Sequence, residues 1–405
     1  MQRYIGLLGI IFLLFIAWLL SNNKKKIDHK LVLKGFALQL IFALVILKTP
    51  VGLPFFEFFD SIIKKLLSFA DKGGDFLFAS FISGEVESPL INFAIRVLPT
   101  IIFFSALVGL LYHIGVMQFV VRLLSKAMQK LLGTSGSETL SVVGSIFVGQ
   151  TEAPLLVKPF IKNMTKSELM TVMVGGFATV AGGVMAIYVK MLENIDGIAG
   201  HLMAASIMSA PAAIMIAKIM FPETENSETK GSVKIEKYNT DANAVEAVAD
   251  GAIDGLKLAL NIGAMVIAII GLVAMIDGLL SLINLSTAQI FGFFFKPLAF
   301  IMGIPWEEAG AFGTLLGEKI ALTELIAYKD LGVMIANNQV TARTAKIASY
   351  ALCGFANFAS IGIQIGGISG IAPNRKKDVA KLAIKAMIGG ALASWMTACI
   401  AGVIL

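Results

Sequence analysis

Two carboxylates in this chain sit in strongly apolar surroundings, each within a few residues of amides and hydroxyls. The first belongs to Gly149-Gln150-Thr151-Glu152-Ala153-Pro154, followed about 30 residues later by Gly176-Phe177-Ala178-Thr179-Val180-Ala181-Gly182. The second belongs to Leu322-Thr323-Glu324-Leu325, followed at a similar distance by Gly354-Phe355-Ala356-Asn357-Phe358-Ala359-Ser360. An ionisable group at membrane depth is costly unless it faces a cavity or a partner. Two such clusters in equivalent places therefore point to one polar site between two halves of the chain, as transporters build.

Gln150, Thr151 and Glu152 offer amide donors and acceptors, a hydroxyl and a carboxylate in three consecutive residues. Pro154 then prevents an ordinary helix from continuing through them. Such a tip suits a planar polar ligand. Thr179 adds a hydroxyl, the small Gly182-Gly183 pair lets a neighbouring backbone approach, and Val184 presents an apolar wall that accepts a ring. In the second copy Glu324, Asn357 and Ser360 form the analogous set, with Asn357 and Ser360 expected to share one face of a helix. A carboxylate accepting from two vicinal hydroxyls is a natural sugar contact. Glu318 and Lys319 read as braces of the second segment, and Glu138, Glu307 and Glu308 as residues at segment entrances near water.

The composition sets the class. Of 405 residues 57% are hydrophobic and only 15% charged, and the mean hydropathy is +0.83, which excludes an ordinary soluble protein. The net charge of +6 is carried beside apolar spans rather than in a patch with interleaved aromatics, so it reads as topology control and not as nucleic-acid binding. Cys353 and Cys399 have no partner spacing for a disulfide or a zinc site. His29, His113 and His201 are isolated, and no nucleophile elbow, metal motif or cofactor loop appears, so an enzyme is not expected.

Stretches long enough to cross a bilayer fall near 4–21, 31–48, 92–113, 168–190, 199–220, 257–283, 342–368 and 380–405. The first reads as a retained helix, because no small-residue cleavage pattern follows it. The stretches near 138–157 and 308–328, interrupted by Gly, Pro and Glu, read as re-entrant hairpins. Segments near 52–70 and 118–132 read as helices lying along the membrane surface. Lys24, Lys25, Lys26 and Lys30, then Lys158, Lys162 and Lys166, and finally Arg375, Lys376, Lys377 and Lys381, mark cytoplasmic ends. They place the first hairpin's opening on the inside and the second's on the outside. A polar stretch from Pro222 to about Asp241 reads as a cytoplasmic linker. An offset of 178 superposes Gly176-Phe177-Ala178 on Gly354-Phe355-Ala356, and the order of elements agrees with it. The expected architecture is all-α and integral to the membrane: eight transmembrane helices and two opposed re-entrant hairpins in an inverted repeat.

At Gly149 to Pro154 the chain resembles the concentrative nucleoside transporter family, whose hairpin motif reads G-Q-T-E-A-P. Cys353 to Ser360 and Asn261-Ile262-Gly263-Ala264-Met265 are also similar to the family's segments, and the resemblance spans nearly the whole chain. It implies a homotrimer in the cytoplasmic membrane that imports nucleosides by an elevator motion, with no cofactor beyond a coupling ion, H+ or Na+. By carry-over Gln150, Thr151, Glu152 and Val184 face the nucleobase. Glu324, Asn357, Ser360 and Phe355 then bind the ribose. A sodium site would use Ser145, Val148, Thr179 and Val180. Ser145 stands where sodium-coupled members carry Asn, which removes a carbonyl ligand, so coupling to protons through Glu152 or Glu324 is expected. Thr323 likewise departs from the family's usual Asn.

The implied division is an N-terminal scaffold over 1–115, a first transport repeat over 116–221, a linker with an amphipathic helix over 222–256, a scaffold helix over 257–285 and a second transport repeat over 286–405. The rival expectations are a proton or sodium exchanger using the same carboxylates, and a membrane receptor that binds nucleosides without moving them.

Overall fold

The computed structural model describes residues 2–49, 52, 54–64, 67, 98–230 and 242–405. Among these residues the regular structure is entirely helical. In chain order the helices are α1 (Gln2–Leu19), α2 (His29–Lys48), α3 (Leu98–His113), α4 (Val116–Leu132), α5 (Gly136–Gly144), α6 (Lys158–Ile161), α7 (Lys166–Ala178), α8 (Gly182–Met191), α9 (Ile198–Met220), α10 (Ala244–Leu280), α11 (Thr287–Ile301), α12 (Trp306–Ala321), α13 (Glu324–Ala336), α14 (Ala342–Leu352), α15 (Phe358–Ile371) and α16 (Lys376–Ile404). A 3-10 turn, Ala153–Val157, leads into α6.

The core is formed by α7, α9 and α16, whose residues are buried nearly all round. A helix apolar on every face must lie inside a bundle, and their Gly, Ala and Ser residues let the backbones come close. A methyl group at Gly389 of α16 would stand 3.0 Å from Val174 Cγ2 of α7. Around this core α1 packs on α16 and α2 on α9, while α3 packs mainly on α10.

By length and composition four described stretches suffice to cross a membrane: His29–Lys48, Lys166–Met191, Ile198–Met220 and Pro373–Ile404. Two bent pairs raise the number to six. Pro99–His113 with Val116–Leu132 turns through 75°, and Met275–Ile283 with Thr287–Ile301 through 81°. The first bend falls at Gly115, whose φ of +86° is open only to glycine without strain. Residues 68–97 and 231–241 of the expected surface segment, third span and linker lie outside the described residues.

Two expected continuous spans are broken. The 168–190 span divides after Ala178, where Thr179 and Ala181 are extended before α8 begins. The 342–368 span divides after Leu352, where Cys353 is extended and Gly354 has φ +114°. The breaks abut one another: a methyl group at Gly354 would lie 2.7 Å from the Phe177 carbonyl oxygen. The two Gly-Phe-Ala stretches are thus the crossing point of the halves.

Backbone groups released by these breaks must find partners inside the protein. Gly182 N–H donates to Phe147 O (3.0 Å), tying the first break to the hairpin tip. Lys319 Nζ donates to Ala351 O (2.8 Å), Cys353 O (3.2 Å) and Ser394 Oγ (2.8 Å), so this fully buried ammonium closes the end of α14. It braces carbonyls rather than pairing with charged neighbours. Glu138, expected near water, is 1% exposed and meets Lys218 Nζ at 2.7 Å. It also completes a capping box with Ser135 at the start of α5, as Glu168 does with Thr165 at the start of α7. Glu308 accepts from both N–H and Oγ1 of Thr341, joining the starts of α12 and α14.

Replacing Lys319 by Met leaves the acceptors at the α14 end without a donor and is expected to lower stability by about 2–4 kcal/mol. Denaturant unfolding of the purified variant in detergent measures this, and an unchanged midpoint would show that the carbonyls do not depend on Lys319.

Candidate functional site

The site is assembled from four interruptions of helix. Between α5 and the 3-10 turn, Gly149 to Glu152 form the tip of the first hairpin. Close packing is built in there, since the Glu152 carboxylate occupies the space where a side chain at 149 would stand. In the second hairpin α12 stops at Leu322, and Thr323 caps α13 with its hydroxyl accepting from Ile326 N–H (3.4 Å). Glu324 is thereby placed in the first turn of α13, where the helix dipole favours its negative charge. The remaining two interruptions are the α7–α8 and α14–α15 breaks.

These four places surround one cavity of ≈ 120 Å³. Its walls include Gln150, Thr151, Glu152 and Val184 from the first half, and Glu324, Phe355, Asn357 and Ser360 from the second. All eight residues singled out in the sequence as ligand contacts meet here, with Glu152 and Glu324 on a common space. Phe355 lines it, whereas Phe358 does not and is 55% exposed. Polar groups on an otherwise apolar wall are what a small-molecule site requires.

Glu324 is the most constrained member. Its Oε1 accepts from Tyr188 Oη (2.7 Å) and its Oε2 from Asn357 Nδ2 (2.7 Å). Tyr188 stacks on Tyr328 with ring centroids 4.3 Å apart, and Tyr328 Oη donates to Ser349 O (2.8 Å). A carboxylate has about four lone-pair sites, so capacity remains for hydroxyl donors of a ligand. Asn357 is not on the body of a helix as the sequence led us to expect. It is the N-cap of α15, extended at φ −141° and ψ 165°, with Oδ1 accepting from Ser360 N–H (2.8 Å). Its amide is thus used twice, to start a helix and to orient Glu324.

Tyr188 was missed as a contact. Its signal was available, because it follows Val184 by one helical turn and so shares its face. Gln364, one turn after Ser360, was missed for the same reason; its Nε2 donates to Gln150 Oε1 (3.1 Å).

Ser145, Val148, Thr179 and Val180 are all buried where the first hairpin turn meets the α7–α8 break. Ser145 Oγ donates to Val142 O (2.7 Å) and reaches Gly175 O (3.3 Å), to which Thr179 Oγ1 also donates (3.0 Å). The two hydroxyls therefore converge on one carbonyl. Among the described residues no three His, Cys, Asp or Glu side chains gather as a metal site. Hydroxyl and carbonyl oxygens are the donors available, a set that fits only a hard cation.

A second cavity of ≈ 390 Å³ adjoins the first at Gly149, Glu152, Ala181 and Val184, and is closed on its far side by Ser105 and Tyr112 of α3 and Asp250 and Asp254 of α10. Glu152, which is exposed, borders both.

An apolar helical body that keeps a polar cavity at its helix breaks is that of a membrane transporter. Comparison with known proteins defines the kind. Family models match almost end to end: Na+ dependent nucleoside transporter N-terminus at residues 8–81, nucleoside recognition (Gate) at 94–194, and Na+ dependent nucleoside transporter C-terminus at 201–402. Nucleoside permease NupC of Helicobacter pylori is 40% identical, over 99% of this chain and 97% of its own. An uncharacterized transporter of Haemophilus influenzae is 44% identical, over 99% and 97%. The structure of CNTnw in an inward-facing substrate-bound state superposes with a TM-score of 0.91 at 39% identity, covering 100% of this chain and 98% of that one. The chain belongs to the Na+ dependent nucleoside transporter family, the concentrative nucleoside transporters, and is not an enzyme.

Tyr188→Phe removes one donor from Glu324 while preserving the stacked ring. Uridine affinity, measured by calorimetry on purified protein, is expected to fall roughly three- to tenfold. Undiminished affinity would show that the hydroxyl plays no part in presenting the carboxylate.

Proposed function

We propose that this protein imports nucleosides across a cytoplasmic membrane, driven by a cation gradient. The observation that carries the reading is the convergence of these eight residues, drawn from both halves of the chain, on one cavity. Gln150, Thr151, Glu152 and Val184 contact the nucleobase. Glu324, Asn357, Ser360 and Phe355 contact the ribose, whose vicinal hydroxyls match the unused acceptor capacity of Glu324.

The architecture we infer around the site has eight crossings, two re-entrant hairpins of opposite sense and an inverted repeat, assembled as a homotrimer. In it the hairpin-bearing body over 116–221 and 286–405 moves as an elevator past a scaffold that includes α3 and α10. The adjoining cavity between α3, α10 and the first hairpin supports this reading, since a seam with empty volume is where such bodies slide. The scaffold comprises 1–115 and 257–285, and the 222–256 linker runs into it without a break, since α10 begins at Ala244. Exposing a coupling site alternately to both faces lets each tenfold cation gradient contribute about 1.4 kcal/mol.

For the coupling ion we favour the proton, carried by Glu152 or Glu324. Support comes from Ser145, which offers a hydroxyl already donating to Val142 O instead of a side-chain carbonyl. The second reading is sodium, bound among Ser145, Val148, Thr179 and Val180, and the description of the matching family models favours it.

Uptake of radiolabelled uridine into proteoliposomes separates the two. Accumulation under a proton gradient without sodium is expected, and accumulation under a sodium gradient alone, with pH matched, would replace the proton by sodium. Glu152→Gln is expected to reduce the initial rate roughly tenfold or more with normal insertion. An exchanger would bind no uridine, and a receptor would show no counterflow.

A further inference from the structure

Gln364 lies on α15 and is 1% exposed, and its amide nitrogen makes two contacts at once. Nε2 donates to Gln150 Oε1 (3.1 Å) at the first hairpin tip and to the Met173 carbonyl oxygen (3.0 Å) of α7. These two bonds are not equivalent in what they determine. A side-chain amide can turn end for end, but a backbone carbonyl only accepts. Met173 therefore fixes which end of Gln364 faces inward, since the reversed amide would set Oε1 against another oxygen. With NH2 of Gln364 so fixed, Gln150 has to present its oxygen to it, because its own NH2 would meet a second donor. With Oε1 of Gln150 engaged by Gln364, its Nε2 is the end of the amide whose N–H donors are turned to the cavity it lines.

The surroundings hold this arrangement closely. Gln150 is itself 7% exposed, so water does not compete readily for the amide pair. Gly176 leaves the space in which the two side chains meet: a methyl group there would stand 2.7 Å from Gln364 Nε2 and 3.0 Å from Gln150 Cβ. One turn beyond Gln364, a methyl group at Gly367 would lie 3.0 Å from Thr151 Cγ2, so α15 is seated directly on the tip.

We propose that Gln364 is a positioning residue for base recognition, locking the Gln150 amide so that this side chain donates, and thereby favouring a nucleobase acceptor at that point of the pocket. The proposal rests on the reading of Gln150 as a nucleobase contact. Pyrimidine carbonyl oxygens and purine ring nitrogens satisfy this requirement at Gln150, whereas an N–H group set against its amide nitrogen does not.

A double-mutant cycle on purified protein tests it, with uridine affinity read by calorimetry. Gln364→Met keeps the length of the side chain and removes the donor. It is expected to weaken uridine roughly tenfold in the wild-type background, which corresponds to ~1.4 kcal/mol, and to cause no further loss in Gln150→Met. The preference for uridine over a phenyl C-riboside, which has no base acceptor, is expected to narrow by the same factor, while discrimination against 3'-deoxyuridine stays as in wild type. Gly176→Ala, which wedges the same pair apart, is expected to reproduce the shift if Gln364→Met does not fold. Wild-type uridine affinity in Gln364→Met, or losses that add in the double variant, would overturn the proposal. Wild-type affinity in Gln150→Met would instead overturn the nucleobase assignment beneath it.

Discussion

Helices that stop inside an apolar body impose the governing constraint on this molecule. Each stop frees N–H and C=O groups that hydrocarbon cannot solvate, and here four stops are gathered in one place. Their needs are met mutually. The first break donates from Gly182 to the hairpin tip at Phe147, and the second is closed by the Lys319 ammonium on Ala351 and Cys353. Thr323 and Asn357 each begin a new helix with their own side chains. Polar atoms that remain, chiefly those of Gln150, Glu152, Glu324 and Asn357, surround the cavity. The cavity is thus continuous with the solution to the backbone problem.

The same constraint explains why the halves are inseparable at the level of single residues. Glu324 is oriented by Tyr188 from the first half and Asn357 from the second. Gln150 from the first half is held by Gln364 from the second. Gly354 lets the second break rest on the backbone of Phe177 and Ala178. This interlock brings polar side chains of both halves to one small space.

Much of this was legible before any coordinates. An intramembrane Glu is costly enough that its presence twice, each time with amides and hydroxyls nearby, marks a site. Gly149 to Pro154, with Pro154 unable to continue a helix, mark where one fails. The long apolar stretches of α2, α9 and α16 are clear from hydropathy, with boundaries close to those observed. Hydropathy did not reveal the breaks at Thr179 and Cys353, because an extended Thr or Cys is as apolar as a helical one. Nor did it give the role of Asn357, since capping and facing a ligand use the same residue type. Glu138 was misplaced because its partner, Lys218, is distant in sequence and on another helix. Tyr188 and Gln364 were overlooked because single polar residues on buried helices commonly serve packing, and only three-dimensional proximity distinguishes them.

The double clasp on Glu324 ties the two halves of the chain together at that point. Drawing Tyr188 and Asn357 apart would leave a buried carboxyl group without its donors, at a cost of about 1–3 kcal/mol or more. The seam between the halves is therefore a weld rather than a door. Among the described residues Glu152 is the one acidic side chain that borders both voids, so the turn at Gly149 to Glu152 is where the two spaces join.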